Sequence, residues 1–289
     1  MKAKEHVLNL AVLIVLYQKS SQDSIALQSL LKQRTLLLEE GIDLQLFVWN
    51  NSPGLAQPCA DVRWYEADNL RLSAIYNRVA EEAFSAGTEL FMISDDDTDY
   101  SNVRLSQCLE QIQRVRNSPE CEDVGVFLPK LVSHGVLVSP GKRRMFMGRL
   151  TPSVPAGLID SRNLLGINSG LIFTRQCHER MTPFYDERLR FYATDTDFFI
   201  RYEKQFPQAC VLDVEIVHDL SEHSADTTER ALFRFEEMIH GLRISFHSHG
   251  LVERGLLNLY LVYAAVRKAF SYRSLAFIKA LFVQMRAVK

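Results

Sequence analysis

Several protein classes are excluded by what this sequence has little of. The 289 residues include five cysteines, an odd number, widely spaced and without a Cys-x-x-Cys pair. A disulfide framework or a structural zinc site therefore has little support. We expect the reduced, mostly buried thiols of a cytosolic protein at Cys59, Cys108, Cys121, Cys177 and Cys210.

An excess of charge of either sign is also missing. The 33 Lys and Arg against 35 Asp and Glu give a net charge of −2. A dedicated nucleic-acid binder is usually clearly basic, so we expect no nucleic-acid partner. Hydrophobic residues make up 47% and charged residues 24%, which excludes a mostly disordered or collagen-like chain. The charge is unevenly placed, because residues 251–289 hold seven Lys or Arg and one acid.

The first apolar run, Leu8–Leu16, has two interpretations. It follows lysines as in a signal peptide, but Glu5 interrupts the basic start, and Tyr17 and Lys19 stand where small cleavage-site residues belong. A run of this composition also predicts a strand that is buried on both faces of a parallel sheet. We favour the strand, over Val7–Tyr17, with a signal peptide as the alternative.

Strand and helix patterns alternate through residues 7–128, which predicts an α/β fold with a mainly parallel sheet covered by helices. Asn50 and Asn51 follow one apolar strand, and Asp95-Asp96-Asp97 follows another. Ligands bind beyond the carboxyl ends of such strands, so we expect both groups at one edge of the sheet. Residues 129–167 contain four prolines and predict an irregular insertion or flexible loop.

The triplet Asp95-Asp96-Asp97 predicts a site for a hard divalent cation. Consecutive carboxylates repel one another unless a cation or solvent neutralises them. Mg²⁺ or Mn²⁺ would use one or two carboxylates and fill its other positions with phosphate oxygens and water. The alternative is structural, since acidic residues also stabilise the N-terminus of a following helix.

Two further groups are candidates for chemistry. Asp195 and Asp197 precede an apolar helical stripe, and Asp195 would act as a general base. The structural alternative is helix capping with an i,i+4 ion pair from Asp197 to Arg201. His218 ends a β-branched strand, where a histidine is either structural or a metal ligand.

Five motifs occur in an order that is typical of one enzyme family. They are Val48–Pro53, Asp68–Asn77, Ile93–Asp97, Ile167–Gly170 together with Asp186–Arg201, and His218–Ser221. Over roughly residues 7–240 the chain resembles the family-two inverting glycosyltransferases, particularly bacterial polysaccharide enzymes including rhamnosyltransferase-like members. The resemblance implies the GT-A fold, a Rossmann-like mixed sheet flanked by helices, here with a C-terminal helical extension.

The resemblance implies a role for each matching residue. Asn50 would face the nucleotide base, and the residues that would line the nucleotide and diphosphate are Asn69, Arg71 and Asn77, with Asp95 and Asp96 also against the donor. The metal ligands would be Asp95, Asp97 and His218, with Asp97 the direct ligand. Asp195 would be the catalytic base.

Three positions depart from the family pattern. Asn50 replaces an aspartate and keeps an acceptor without the charge. Arg71 replaces a glycine and adds a cation suited to phosphate. Thr194 stands where many members have glutamate, which lowers the charge around Asp195.

The function that the resemblance implies is metal-dependent hexosyl or deoxyhexosyl transfer. The donor would be a nucleotide diphosphate-sugar, UDP or dTDP, and the acceptor a hydroxyl of a glycan or lipid-linked molecule in bacterial surface polysaccharide synthesis. The catalytic domain would span 1–250, with a nucleotide-sugar half, 1–128, and an acceptor half, 129–250. Two alternatives stay open. One is a sugar nucleotidyltransferase, but such enzymes usually have a glycine-rich loop after the first strand, and the segment Tyr17–Gln22 contains no glycine. The other is a non-catalytic glycan-binding or assembly subunit.

Residues 251–289 predict a basic amphipathic helical tail. Its apolar run Leu256–Val266 is too short to span a bilayer. The tail would either pack on the catalytic domain or form a homodimer, or lie on an anionic membrane surface near a lipid-linked acceptor. We favour peripheral membrane contact, in a cytoplasmic protein at the inner face of the cell membrane.

Overall fold

The computed structural model describes residues 8–52, 54, 61–119, 123–217 and 227–287. Twelve strands and eight helices lie within these ranges. The strands are β1 (Leu8–Leu16), β2 (Ile42–Asn50), β3 (Arg63–Glu66), β4 (Leu90–Asp95), β5 (Val124–Ser133), β6 (Val136–Ser139), β7 (Gly141–Arg144), β8 (Met147–Arg149), β9 (Gly157–Asp160), β10 (Leu164–Leu165), β11 (Leu171–Thr174) and β12 (Gln208–Val217). The helices are α1 (Ile25–Glu39), α2 (Leu72–Ser85), α3 (Leu105–Arg116), α4 (Arg175–Met181), α5 (Thr194–Tyr202), α6 (Thr228–Ser245), α7 (Leu251–Ser271) and α8 (Ala276–Ala287).

Nine strands form one mixed sheet. Eight of them follow the order β3-β2-β1-β4-β11-β5-β12-β9, and β6 pairs with β5. The strands β3, β2, β1 and β4 are mutually parallel. The strand β11 is antiparallel to both of its neighbours, β4 and β5, so the sheet is mixed, as the predicted fold class requires.

The strand β1 lies inside the parallel half of this sheet. It bonds to β2 on one side and to β4 on the other. Its residues alternate between two hydrophobic clusters, with Leu10 and Val12 in one and Ala11 and Leu13 in the other. Burial on both faces explains why an unbroken apolar run forms a strand. The predicted first strand is therefore confirmed.

The strand register brings the polar groups of the first half together. Leu16 pairs with Asn50 across β1 and β2, and Val15 pairs with Asp95 across β1 and β4. The carboxyl ends of these three parallel strands thus form one edge. This confirms the prediction that the Asn50 turn and the aspartate triplet lie at the same edge of the sheet.

The prediction of an irregular insertion or flexible loop over 129–167 is wrong. The strand β5 continues through Pro129 to Ser133, β9 pairs with β12, and a separate three-stranded sheet has the order β10-β7-β8. The strands β7, β8 and β10 are two to four residues long, and β7 and β8 are partly polar. Such short segments show no alternation that would distinguish a strand from a loop.

The C-terminal helices that the sequence predicts are present. The helices α6, α7 and α8 share a third hydrophobic cluster, to which Ile200 of α5 also contributes. The helix α6 therefore packs with the tail, although the expected domain boundary at 250 falls between α6 and α7. None of the helices in the described part of the chain is both long and apolar enough to cross a bilayer.

Candidate active site

The acidic triplet ends the strand β4, whose preceding side chains are buried. Asp95 is the last residue of β4, and the Thr98 N–H donates to its carbonyl oxygen at 3.4 Å. All three carboxylate residues of the triplet are partly buried. Neighbouring carboxylates repel one another in such a setting unless a cation or solvent neutralises them, and a bound cation at this turn stays a prediction.

The middle residue, Asp96, is paired with a lysine. The Lys19 Nζ lies 3.0 Å from Asp96 Oδ2. The Asp96 carbonyl accepts hydrogen bonds from Ser24 Oγ and from the Ala26 N–H, each at 3.1 Å. Burial raises the pKa of Asp96, and Lys19 opposes that shift. Asp96 thus attaches the triplet to the start of α1, and its contact with a donor stays a prediction.

Asp95 and Asp97 share a buried neighbour, Tyr100. Burial raises the pKa of Tyr100, its hydrogen bond to Ser94 Oγ at 2.9 Å opposes the shift, and the charges of Asp95 and Asp97 raise the pKa further. Two carboxylates with a diphosphate suit Mg²⁺ or Mn²⁺. Among the described residues no three His, Cys, Asp or Glu side chains form a metal-binding group, and His218 lies outside those residues.

The segment that leads into β11 joins the two acidic motifs. The Asp95 N–H donates to Ser169 Oγ at 3.0 Å, and Ser169 Oγ also lies 2.6 Å from Thr98 Oγ1. The neighbouring Asn168 donates from Nδ2 to Thr194 Oγ1 at 3.1 Å. Thr194 immediately precedes the predicted base. A short hydrogen-bonded path therefore connects the end of β4 to the start of α5.

The pKa of a buried tyrosine on α2, Tyr76, is affected by charges from both acidic motifs. Burial raises the pKa of Tyr76 well above its usual value, and the charges of Asp95 and Asp195 raise it further. Both carboxylates must lie near this phenol to act on it. The adjacent Tyr185, whose ring centroid is 5.2 Å away, donates to Asn168 Oδ1 at 2.8 Å. Sequence reasoning missed Tyr76, since an aromatic residue on a buried helix face normally indicates core packing.

Asp195 lies in the first turn of α5. The preceding residue, Ala193, has a left-handed backbone with φ of 64°. Gly241 of α6 lies against this turn, and a Cβ there would be 2.7 Å from the Ala193 Cβ. Burial raises the pKa of Asp195, and a hydrogen bond from the Thr196 N–H to Oδ1 at 2.7 Å opposes that shift. A carboxylate with a raised pKa is a stronger base.

A cavity of about 130 Å³ opens beside Asp195. Its other walls come from β6, from the three-stranded sheet and from residues next to that sheet, and include Val138, Gly148, Arg149, Leu150, Leu165 and Ile167. The region 129–167, for which the sequence predicts an irregular loop, thus forms most of the wall of this cavity. A larger cavity of about 270 Å³ lies between α2 and residues 178–187, and no aspartate of either acidic motif lines it.

The second aspartate of this motif, Asp197, has a structural partner. Asp197 is buried, and its Oδ2 lies 2.9 Å from Arg201 Nε. Arg201 also donates to the carbonyl oxygens of Pro183, at 2.9 Å, and Phe184. The predicted i,i+4 pair is confirmed, and it attaches α5 to the chain before Tyr185.

The Asn50 turn contains two asparagines with different contacts. Asn50 is fully buried; its Nδ2 donates to Glu66 at 3.3 Å and its Oδ1 accepts from the Ser52 N–H at 3.1 Å. Asn51 bonds to both backbone groups of Leu70, at 2.8 and 2.9 Å. Sequence reasoning did not assign Asn51 a role, yet it fixes the loop that carries Asn69. Contact between Asn50 and a base stays a prediction.

Of the remaining donor-side residues, Arg71 and Asn77 hold the segment 185–190 against α2. Asn69 is exposed with φ of 46°. Arg71, also exposed, donates to the Glu187 carbonyl at 3.0 Å. Asn77 bonds to both backbone groups of Tyr185, at 2.8 and 2.9 Å. These contacts hold Arg71 and Asn77 against the segment that precedes α5, and the contacts of all three residues with a nucleotide stay predictions.

The fold is that of the GT-A glycosyltransferases, as the sequence predicts. The solved structure of GalNAc-T7 with UDP, GalNAc and Mn²⁺ is similar to this chain, with a TM-score of 0.54 and 8% sequence identity. The likeness covers 81% of this chain and 49% of GalNAc-T7, so the chain spans about half the length of that protein. No protein-family model and no curated protein matches the sequence. At this identity the likeness establishes the fold alone.

Proposed function

We propose that this protein is an inverting glycosyltransferase of the family-two type. It would move a hexosyl or deoxyhexosyl group from a UDP- or dTDP-sugar to a hydroxyl group. The observation that carries the proposal is the meeting of two acidic motifs, through Ser169 and Asn168, around Tyr76. One motif suits a diphosphate with its cation, and the other suits a proton acceptor.

Asp195 is the base in this mechanism. Its carboxylate takes the proton of the acceptor hydroxyl while the acceptor oxygen attacks the anomeric carbon of the donor. The bond from that carbon to the diphosphate oxygen breaks on the opposite face, and the nucleoside diphosphate leaves with the electron pair. The raised pKa of Asp195 strengthens its affinity for that proton. Attack opposite the leaving group inverts the anomeric configuration.

Asp95 and Asp97 are the residues that would hold Mg²⁺ or Mn²⁺, because they match the outer positions of the Asp-x-Asp motif in the family resemblance. The cation would offset negative charge on the diphosphate leaving group. Arg71 lies at the start of α2 and adds a positive charge to the donor side of the site. The presence of UDP and Mn²⁺ in the similar GalNAc-T7 structure supports this assignment.

The cavity beside Asp195 would receive the acceptor. Its apolar walls and the cation of Arg149 suit a sugar ring that carries a nearby anionic group, such as the phosphate of a lipid-linked acceptor. We place the reaction in bacterial surface polysaccharide synthesis, on the cytoplasmic side of the cell membrane. Support for an acceptor of this class comes only from the family resemblance of the motifs in residues 167–201.

Thermal unfolding with nucleotides tests the donor assignment first. Since ligands that bind the native state raise its unfolding temperature, we expect UDP or dTDP with Mn²⁺ or Mg²⁺ to stabilise the protein more than GDP or CMP. Transfer is then followed by nucleoside diphosphate release and by the anomeric configuration of the product. Stabilisation by none of the four nucleotides, or a product of retained configuration, would contradict the proposal.

A further inference from the structure

The helix α7 is apolar on two opposite faces. One face packs on α6 and α8 through the buried side chains of Leu257, Leu261 and Ala265. The other face is exposed, with 68% of Leu259 and 81% of Phe270 accessible. An amphipathic surface helix normally has a polar outer face. The outer apolar face of α7 is therefore unusual in a chain that functions alone in water.

The exposed face is broad. Its apolar members, which are Leu251, Val252, Leu256, Leu259, Val262, Tyr263, Val266 and Phe270, span an arc of about 140° at about 100° per residue. A paired coiled coil needs a narrower seam with charged residues on both borders. Here Arg267 lies just beyond one border, while the uncharged Asn258 lies just beyond the other. This face is wider than a coiled-coil seam and suits a flat apolar surface.

The helix α8 and Leu275, the residue that precedes it, add a second exposed apolar group. Leu275, Phe282 and Val283 are 70%, 60% and 64% accessible, and Lys279 is exposed among them. We define the outer apolar face as these three residues together with the eight of α7. Aromatic and aliphatic side chains beside lysine are typical of helices that lie in a membrane interface.

The charge of the same region selects the partner. Arg254, Arg267, Arg273 and Lys279 are exposed, and Glu253 is the only acid in α7 and α8. A second copy of the chain would bring another basic surface against this one, so the two would repel. An anionic lipid surface attracts it instead.

We propose that the outer apolar face of α7 and α8 binds the surface of an anionic lipid bilayer. The apolar side chains enter the boundary between headgroups and acyl chains, and Arg267, Arg273 and Lys279 contact lipid phosphates. The helices lie on the bilayer and do not cross it. This assignment rests on a surface remote in sequence from both acidic motifs, so it stands or falls independently of the transferase reaction.

Vesicle flotation of the full-length protein tests the proposal. The vesicles contain phosphatidylglycerol and phosphatidylcholine in equal parts, or phosphatidylcholine alone. Leu259→Glu places a charge on the outer apolar face, whereas Asn258→Glu adds the same charge at the neighbouring exposed position outside it. We expect wild type to float with the anionic vesicles, and Leu259→Glu to bind more weakly than Asn258→Glu by on the order of tenfold.

Thermal unfolding and light scattering accompany the flotation. Unfolding temperatures within a few degrees of wild type confirm that both variants fold. Equal flotation of the two variants, equal binding to neutral vesicles, or no binding to anionic vesicles would each overturn the proposal. A wild-type dimer that Leu259→Glu dissociates, without vesicle binding, would assign the face to a second copy of the chain and overturn it as well.

Discussion

The two acidic motifs of this protein share one arrangement. In each motif one carboxylate is paired with a cation, Asp96 with Lys19 and Asp197 with Arg201. The paired carboxylates attach the motif to a neighbouring segment. The charges of Asp95 and Asp195, one from each motif, raise the pKa of the buried phenol of Tyr76.

The comparison separates structural from chemical carboxylates. Buried ion pairs fix the local backbone, and breaking one leaves an uncompensated charge. Burial also raises the pKa of Asp195, which makes its carboxylate a stronger base. We expect Asp96 and Asp197, which hold ion pairs, to act on stability, and Asp95, Asp97 and Asp195 to act on binding and turnover. Five predictions test this division.

Asp195→Asn gives the largest expected effect. Loss of the general base lowers kcat by about 10² to 10⁴-fold, because the acceptor hydroxyl then loses its proton acceptor. Steady-state release of nucleoside diphosphate measures the change. Asp213→Asn is the matched control, since the Asp213 side chain is 79% exposed. A rate near wild type for Asp195→Asn would remove this residue from the base role.

The second largest effect is expected for Asp97→Asn, which should weaken donor binding. Replacing a carboxylate by an amide removes a charged ligand for the cation. Metal-dependent affinity for UDP or dTDP then falls by about 10 to 100-fold, as calorimetry with Mn²⁺ measures. Asp99→Asn is the control, because the hydrogen bonds from Ser101 lower the pKa of Asp99 and engage its carboxylate within the loop. Equal affinity in the two variants would exclude Asp97 as a ligand.

The pH dependence of kcat sharpens the role of Asp195. Because burial raises the pKa of Asp195, the acidic limb of the kcat profile should lie above the ordinary aspartate range. Below that pKa the rate falls about tenfold per pH unit, since only the carboxylate accepts a proton. The contribution of Asp195 to stability has the opposite pH dependence to kcat. Because its pKa is raised in the folded protein, protonation of Asp195 favours the folded state fully below about pH 4. That stabilisation is lost as the pH rises through the pKa of Asp195 in the folded protein.

Asp197→Asn should act on stability. The Asp197 side chain is 7% exposed and that of Arg201 is 33% exposed. Loss of this pair lowers the free energy of unfolding by about 1–2 kcal/mol, a figure reduced for the partial exposure of Arg201. Urea unfolding measures it. Asp195→Asn provides the contrast, because removing a desolvated charge leaves stability at neutral pH equal to wild type or higher. A loss of stability in Asp195→Asn together with unchanged stability in Asp197→Asn would contradict the division.

Asp96→Asn gives the smallest effect. The Asp96 and Lys19 side chains are 19% and 34% exposed, so solvent screens the pair. We expect a loss of about 0.5–1 kcal/mol in urea unfolding. Donor affinity should change less than in Asp97→Asn. A larger loss of affinity for Asp96→Asn would move the binding role to the middle residue of the triplet.

The fold was predictable where burial is strong and local. The strands β1, β2 and β4 are long apolar runs between turn residues, and their order dictates a sheet edge at Asn50 and Asp95. The strands β6 to β10 were not predictable, because segments such as Gly141–Arg144 are stabilised by pairing partners and not by their own pattern.

The sequence predicts the separate motifs of the site, but it does not predict the contacts that connect them. Strand ends and apolar stripes locate the carboxylates in the sequence. The contacts that join them, from Ser169, Asn168 and Tyr76, are formed between residues far apart in the chain. The pairing of Asp96 with Lys19 is equally invisible in the sequence, since it depends on how α1 packs beside β4. The predicted metal ligand His218 lies outside the described residues.

Calorimetric titration of Asp195→Asn and Asp97→Asn with UDP or dTDP and Mn²⁺ tests the central claim most directly. The claim is that the triplet holds the donor diphosphate while Asp195 serves only the acceptor proton. We predict that Asp195→Asn binds the nucleotide as tightly as wild type although it is inactive, and that Asp97→Asn loses metal-dependent binding. Equal loss of nucleotide binding in both variants would contradict the claim.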